Sequence, residues 1–167
     1  MTDFMKTALA EGSYIAYTKG SCNPQSGAGG CACRVYAPDG ARPVEVTRKS
    51  TKTTNNIAEM QAVIFALKAT PEGARVVVCG NSGYVKNSFE RDLSKWSENG
   101  WKGSKGKTVL NREKWEAILA LTESREVTFH HVKTYAGDPD IDHVYQLARD
   151  ETEKAESKII RILKGES

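Results

Sequence analysis

No apolar run in this chain of 167 residues approaches the roughly 20 residues that cross a bilayer. The opening stretch MTDFMKTALAEG also lacks the apolar centre of a secretory signal. A membrane protein is excluded on this reading, and a cytoplasmic one is expected. Cysteine is sparse and badly spaced for metal. Cys22, Cys31, Cys33 and Cys79 contain no C-x-x-C pair, and the neighbouring His130 and His131 must point to opposite faces of a strand. No zinc site is expected, and the thiols read as ordinary reduced ones. Repeats, low-complexity tracts and internal linkers are absent, so the chain reads as one domain. Neither GAGG at 27–30 nor GKT at 106–108 completes a phosphate-loop pattern between strand and helix.

Charge of one sign is not in large excess either. A net +3 does not by itself announce nucleic acid, but the charge is unevenly spread. From Tyr84 to Trp115 eight Lys and Arg stand against four Asp and Glu, whereas from Asp138 to Ser167 five stand against eight. The basic surface is therefore local.

What is present has clear periodicity. SYIAYTK, GCACRVYA and RPVEVTR are strand-like and separated by short turn-rich gaps, which predicts an antiparallel meander of three strands. From Asn56 the period changes, with Ile57, Met60, Ile64 and Leu67 at helical spacing up to Thr70-Pro71. ARVVVC is a continuous apolar run, as expected of a parallel strand buried on both faces. A basic, Trp-bearing helical region follows, then the strand EVTFHHVK. A long last helix closes the chain, with Ile141, Val144, Ala148, Ala155, Ile159 and Ile162 as its apolar stripe. The order β-β-β-α-β-α…-β-α predicts an α/β fold: a five-stranded mixed sheet, three strands antiparallel and the rest parallel, with helices on both faces. Lys19 should end the first strand and Asn81 the fourth, both at the carboxyl edge where open α/β sheets bind ligands.

At these positions the motifs YTKGSCNPQSGAGG, TTNNIAEMQA, CGNSGYV, WSENGWK and VKTYAGDPDIDHVYQLA, in this order, resemble ribonuclease HI from about Ser13 to Ala148. The resemblance implies a ribonuclease H-like domain over 13–150, an N-terminal extension over 1–12 and a C-terminal extension of the last helix over 151–167. It implies hydrolysis of the RNA strand of RNA·DNA hybrids with two divalent metals held by four carboxylates, because such ions must together activate water and stabilise the leaving oxygen. Carried over residue by residue, those positions are Lys19, Glu59, Asn81 and Tyr145, so only Glu59 remains a carboxylate. The family's mobile histidine is matched by Tyr135. An ammonium cannot ligate Mg²⁺, an amide is a poor substitute, and a phenol stays protonated at neutral pH. The expectation is an impaired site with no cofactor, in which the Lys19 ammonium stands in the metal's place against Glu59.

Residues that would hold the duplex are better kept. Thr54, Asn55 and Asn56 match the TNN run that faces the minor groove in relatives, and Gln25 stands where relatives carry asparagine. Trp96, Trp101, Lys102, Asn111 and Trp115 match the basic protrusion, joined by Lys105 and Lys107. The partner expected is RNA·DNA hybrid or another duplex, held with reduced grip because Ser97-Glu98-Asn99 and Gly83 replace contact residues. Several bland alternatives stand beside these readings. Glu59 could complete a capping box with Asn56, Tyr145 could fill the core beneath its helix, and the Trp residues could form a satellite core. Two rival functions remain open. One is an active hybrid ribonuclease using Glu59 with Asp138, Asp140 and Asp142 and requiring Mg²⁺ or Mn²⁺. The other is a scaffold or inhibitor that meets a protein partner through Ile159, Ile160, Ile162 and Leu163.

Overall fold

The computed structural model describes residues 1–166. Five strands, β1 Tyr14–Cys22, β2 Gly29–Tyr36, β3 Val44–Ser50, β4 Arg75–Gly80 and β5 Glu126–His131, form one mixed sheet in the order β3-β2-β1-β4-β5. The meander β1-β2-β3 pairs antiparallel, and β1-β4 and β4-β5 pair parallel. This is the sheet the sequence periodicity predicted. Two boundaries moved: β1 runs on past Lys19 to Cys22, and β3 starts two residues later than RPVEVTR suggested.

Helix α1 spans Asp3–Ala10, α2 Asn55–Lys68, α3 Gly83–Asn87, α4 Leu93–Glu98, α5 Arg112–Glu123 and α6 Pro139–Leu163, with one π-helical turn at Ser88–Asp92 between α3 and α4. Alternation along β1 serves both faces of the sheet at once. Ala16 joins Val76 and Val78 in a core beneath α2 and α5, while Ile15 and Tyr17 join Val77 and Cys79 in a second core beneath α6. Two glycines let these layers close. A Cβ on Gly30 would lie 2.5 Å from Glu151 Cβ and 2.6 Å from the Ala148 carbonyl, so α6 can rest on β2 only because that side chain is missing. A Cβ on Gly20 would lie 2.3 Å from the Glu59 nitrogen, so the N-terminal half of α2 packs on β1 by the same device.

The periodicity reading did not predict α1. Its signals were present in MTDFMKTALAEG, with Thr2 as N-cap accepting from the Met5 amide and Asp3 in the first turn. Met5 is fully buried, which contributes about 2 kcal/mol, and its Sδ lies against the Tyr17 hydroxyl. Phe4 stacks on His130 of β5 at 4.8 Å. The three tryptophans also differ from expectation. Trp101 and Trp115 are buried and Trp96 packs against them in the same cluster as Met60 and Val78, so they extend the main core and form no satellite.

Candidate functional site

The carboxyl edge of the parallel strands gathers most of the residues singled out above. Lys19 lies two residues beyond the last β1–β4 pairing, Tyr17 with Cys79, where β1 continues with β2 alone. Asn81 directly follows β4, and Tyr135 lies in the loop after β5. The parallel register forces these connections to leave from the same side, and Gly20 draws the start of α2 to it.

The centre of this edge is an ion pair. Lys19 Nζ lies 2.6 Å from Glu59 Oε1, with only 10% of the lysine side chain and 3% of the glutamate side chain exposed. Burial pushes the Glu59 carboxyl above its usual range, and the Lys19 ammonium together with the Gly20 amide only partly offsets this. The capping-box alternative is overturned. Thr54 caps α2, accepting from the Ile57 amide at 3.2 Å, so Asn56 is already inside the helix and Glu59 lies beyond its first turn. Glu59 is thereby free to point at Lys19.

Core filling by Tyr145 is overturned as well. Ile141, Val144 and Ala148 are the residues of this helix face that enter the core, while Tyr145 is half-buried at the edge. Its ring centroid lies 5.8 Å from Lys19 Nζ and 5.8 Å from the Arg149 guanidinium. Tyr135 meets it edge to face with centroids 5.7 Å apart. Arg149 carried no signal except its position one turn after Tyr145, and the sequence reading missed it.

The three aspartates of the last helix are committed elsewhere. Asp138 caps α6 through the Asp140 amide at 3.0 Å and accepts from the Tyr17 hydroxyl at 2.8 Å. Asp140 accepts from Tyr36 and from Arg34. Asp142 accepts from the Tyr135 amide at 2.6 Å, fixing the loop. Among the described residues no cluster of three His, Cys, Asp or Glu is placed to hold a metal ion.

The expected duplex-facing residues divide into two groups. Thr54, Asn55 and Gln25 are exposed and Asn56 is half-exposed around the α2 start and the β1–β2 hairpin. Lys102, Lys105 and Lys107 are exposed on the protrusion and line a cleft of about 670 Å³ with Lys95 and Trp96. Trp101 does not present its ring. It is 8% exposed, stands at φ 64 and is covered by Arg112 at 5.9 Å, so it holds the protrusion together from inside. Asn111, at φ 61, turns its amide to the Tyr84 hydroxyl at 3.3 Å. A second basic surface had gone unnoticed. A cleft of about 270 Å³ between β3 and α2 is lined by Arg48, Lys49, Lys52 and Lys114 with no acidic residue. Its signal was the RKSTK run directly before the TNN motif.

Residues 11–153 match the family model described as RNase H. Ribonuclease H of Chlorobium luteolum is 37% identical over 139 residues, a match covering 83% of this chain and 94% of that protein. Among solved structures, LC9-RNase H1, a type 1 RNase H with the type 2 active-site motif, aligns with a TM-score of 0.73 at 26% identity, over 86% of this chain and 74% of that one. A foamy viral protease-reverse transcriptase in complex with RNA/DNA hybrid aligns with a TM-score of 0.73 at 23% identity over 86% of this chain. The alignment takes in 20% of that longer protein and, at this identity, speaks for the fold.

Proposed function

The chain belongs to the RNase H family, and from that premise we propose that it binds duplex nucleic acid, RNA·DNA hybrid first, without two-metal cleavage. One observation carries the reading: the 2.6 Å Lys19–Glu59 pair occupies the position where relatives of this family are expected to gather carboxylates. The donor set does not fit two divalent ions. Its single carboxylate is engaged by an ammonium, Asn81 offers a neutral amide, and the Tyr145 ring lies against cations. The rival in which Asp138, Asp140 and Asp142 restore catalysis is disfavoured, because Tyr17, Tyr36, Arg34 and the Tyr135 amide already use their oxygens.

What remains suits binding. The exposed Thr54 and Asn55, the protrusion lysines and the acid-free cleft at Arg48 and Lys114 present donors and positive charge. Four unpaired thiols suit a reducing, cytoplasmic setting. The test runs cleavage and gel shift side by side on one labelled hybrid, with and without Mn²⁺. Binding at low salt without cleavage is expected, and metal-dependent cleavage that Glu59→Gln abolishes would overturn the reading.

A protein-facing role is favoured by one further observation. The stripe that seats Ala148 and Ala155 on the sheet continues past its edge as Ile159 and Ile162, where Ile160, Ile162 and Leu163 are exposed at 52%, 59% and 80%. Light scattering of the intact protein beside Ile162→Lys tests this role. A larger particle that reverts to monomer in the variant supports it, and a monomer in both dismisses self-association.

A further inference from the structure

The aromatic cluster above the ion pair has no counterpart in a metal site and no place in the core. Tyr135 is 70% exposed, and its backbone is held there rather than left loose. Its backbone stands at φ 58, a conformation rare outside glycine and asparagine, and the Asp142 carboxylate fixes its amide at 2.6 Å. Its ring meets the edge-to-face partner Tyr145, which in turn lies near the Lys19 ammonium and the Arg149 guanidinium. Among the described residues Arg149 makes no ion pair, so its charge is unspent. The local acid, Asp142, is already used by the Tyr135 amide.

An exposed ring on a held backbone, meeting a second ring beside which a guanidinium without an ion pair lies, suits stacking on a nucleobase. The ring supplies a π-face that any base can use, and the guanidinium neutralises the adjoining phosphate. A base inside a duplex is already stacked on both sides and cannot offer its face, whereas the first unpaired base beyond a duplex end can. We propose that Tyr135, supported by Tyr145 and Arg149, is a stacking platform for an unpaired nucleotide, so that this chain prefers the junction between duplex and single strand to blunt duplex. The proposal rests on the duplex-binding reading above and gives that site its substrate class.

The experiment compares the intact protein on four probes of equal duplex length: blunt hybrid, hybrid with a 5′ tail, hybrid with a 3′ tail, and the single strand alone. 2-Aminopurine stands at the first unpaired position of each tail. One tailed probe should bind about 5- to 150-fold tighter than the blunt one, the range expected for one stacked base, with quenching of 2-aminopurine. Tyr135→Ala should bring the ratio of tailed to blunt affinity close to one and abolish the quenching, while Tyr135→Phe should keep both. Because Tyr135 is largely solvent-exposed, the variants should fold, which circular dichroism verifies. Equal affinity for blunt and tailed probes, or a ratio that survives Tyr135→Ala, would overturn the platform alone. Failure to bind any duplex probe would overturn the duplex-binding reading with it.

Discussion

Replacing Lys19 by methionine keeps the aliphatic stem and removes the ammonium, leaving the Glu59 carboxylate buried at 3% exposure with the Gly20 amide as its remaining partner. At 2.6 Å the pair attracts by about 6 kcal/mol at an effective dielectric of 20, but removing both ions from water costs several kcal/mol each. The intact pair therefore contributes little net stability, while either half alone is expensive. Lys19→Met should cost about 3–5 kcal/mol, and for a chain of this size that lowers Tm by roughly 6–20 °C. Glu59→Leu, which strands the ammonium, should do the same. The double variant leaves no unpaired charge and should return to within about 1 kcal/mol of wild type or exceed it, giving a coupling energy of several kcal/mol in the double-mutant cycle. Urea denaturation monitored by far-UV circular dichroism at pH 7 measures all four proteins. If Lys19→Met is as stable as wild type, or if the two losses simply add in the double variant, the lysine does not hold Glu59 in the folded protein. Lys19 would then not be the group that stands in place of metal beside Glu59.

Other outcomes follow from the same geometry. The folded Glu59 carboxyl is raised above its usual 4.5, so folding favours its protonated form. Its contribution is fully present below pH 4.5 and is lost as pH rises through the higher folded value. The stability of wild type relative to Glu59→Gln should accordingly fall as pH rises from 4.5 and then level off, and a difference that instead rises with pH would contradict the burial argument. Lys102→Glu with Lys105→Glu should weaken hybrid binding and flatten the plot of log affinity against log salt by about two units, whereas an unchanged slope would remove the protrusion from the interface. Cys31, Cys33 and Cys79 are buried, with thiols pushed up to about 12, 11 and 12. A thiol reagent at pH 8 should therefore find at most the half-buried Cys22 in native protein and all four in denaturant. Finally, Lys19→Asp, Asn81→Asp and Tyr145→Asp together should create a carboxylate cluster with Glu59 that lowers Tm without metal and regains it with Mn²⁺. No Mn²⁺ dependence would mean that the surrounding geometry has also changed.

The chain order of elements was legible because period is a local property. β1 alternates between two cores, β4 is apolar on both faces, and α2 and α6 carry helical stripes, so neighbours in sequence sufficed to assign each. The residue types at Lys19, Asn81, Tyr135 and Tyr145 were equally legible, since chemical type is written in the residue itself. What each side chain does was decided elsewhere. Whether Glu59 capped its helix or met Lys19 depended on which residue, Thr54 or Asn56, started α2. The partners of Asp138 and Asp140 showed only once β1 and β2 brought Tyr17, Tyr36 and Arg34 to them. Packing of the protrusion on the main core buried Trp101, which the resemblance had marked as a contact, whereas Arg149 meets Tyr145 within a single helix. Type and periodicity are carried by residues a few positions apart, but partnership joins Lys19 to Glu59 across 40 positions and Tyr17 to Asp138 across 121, and only the assembled sheet with helices on both faces brings them within bonding distance.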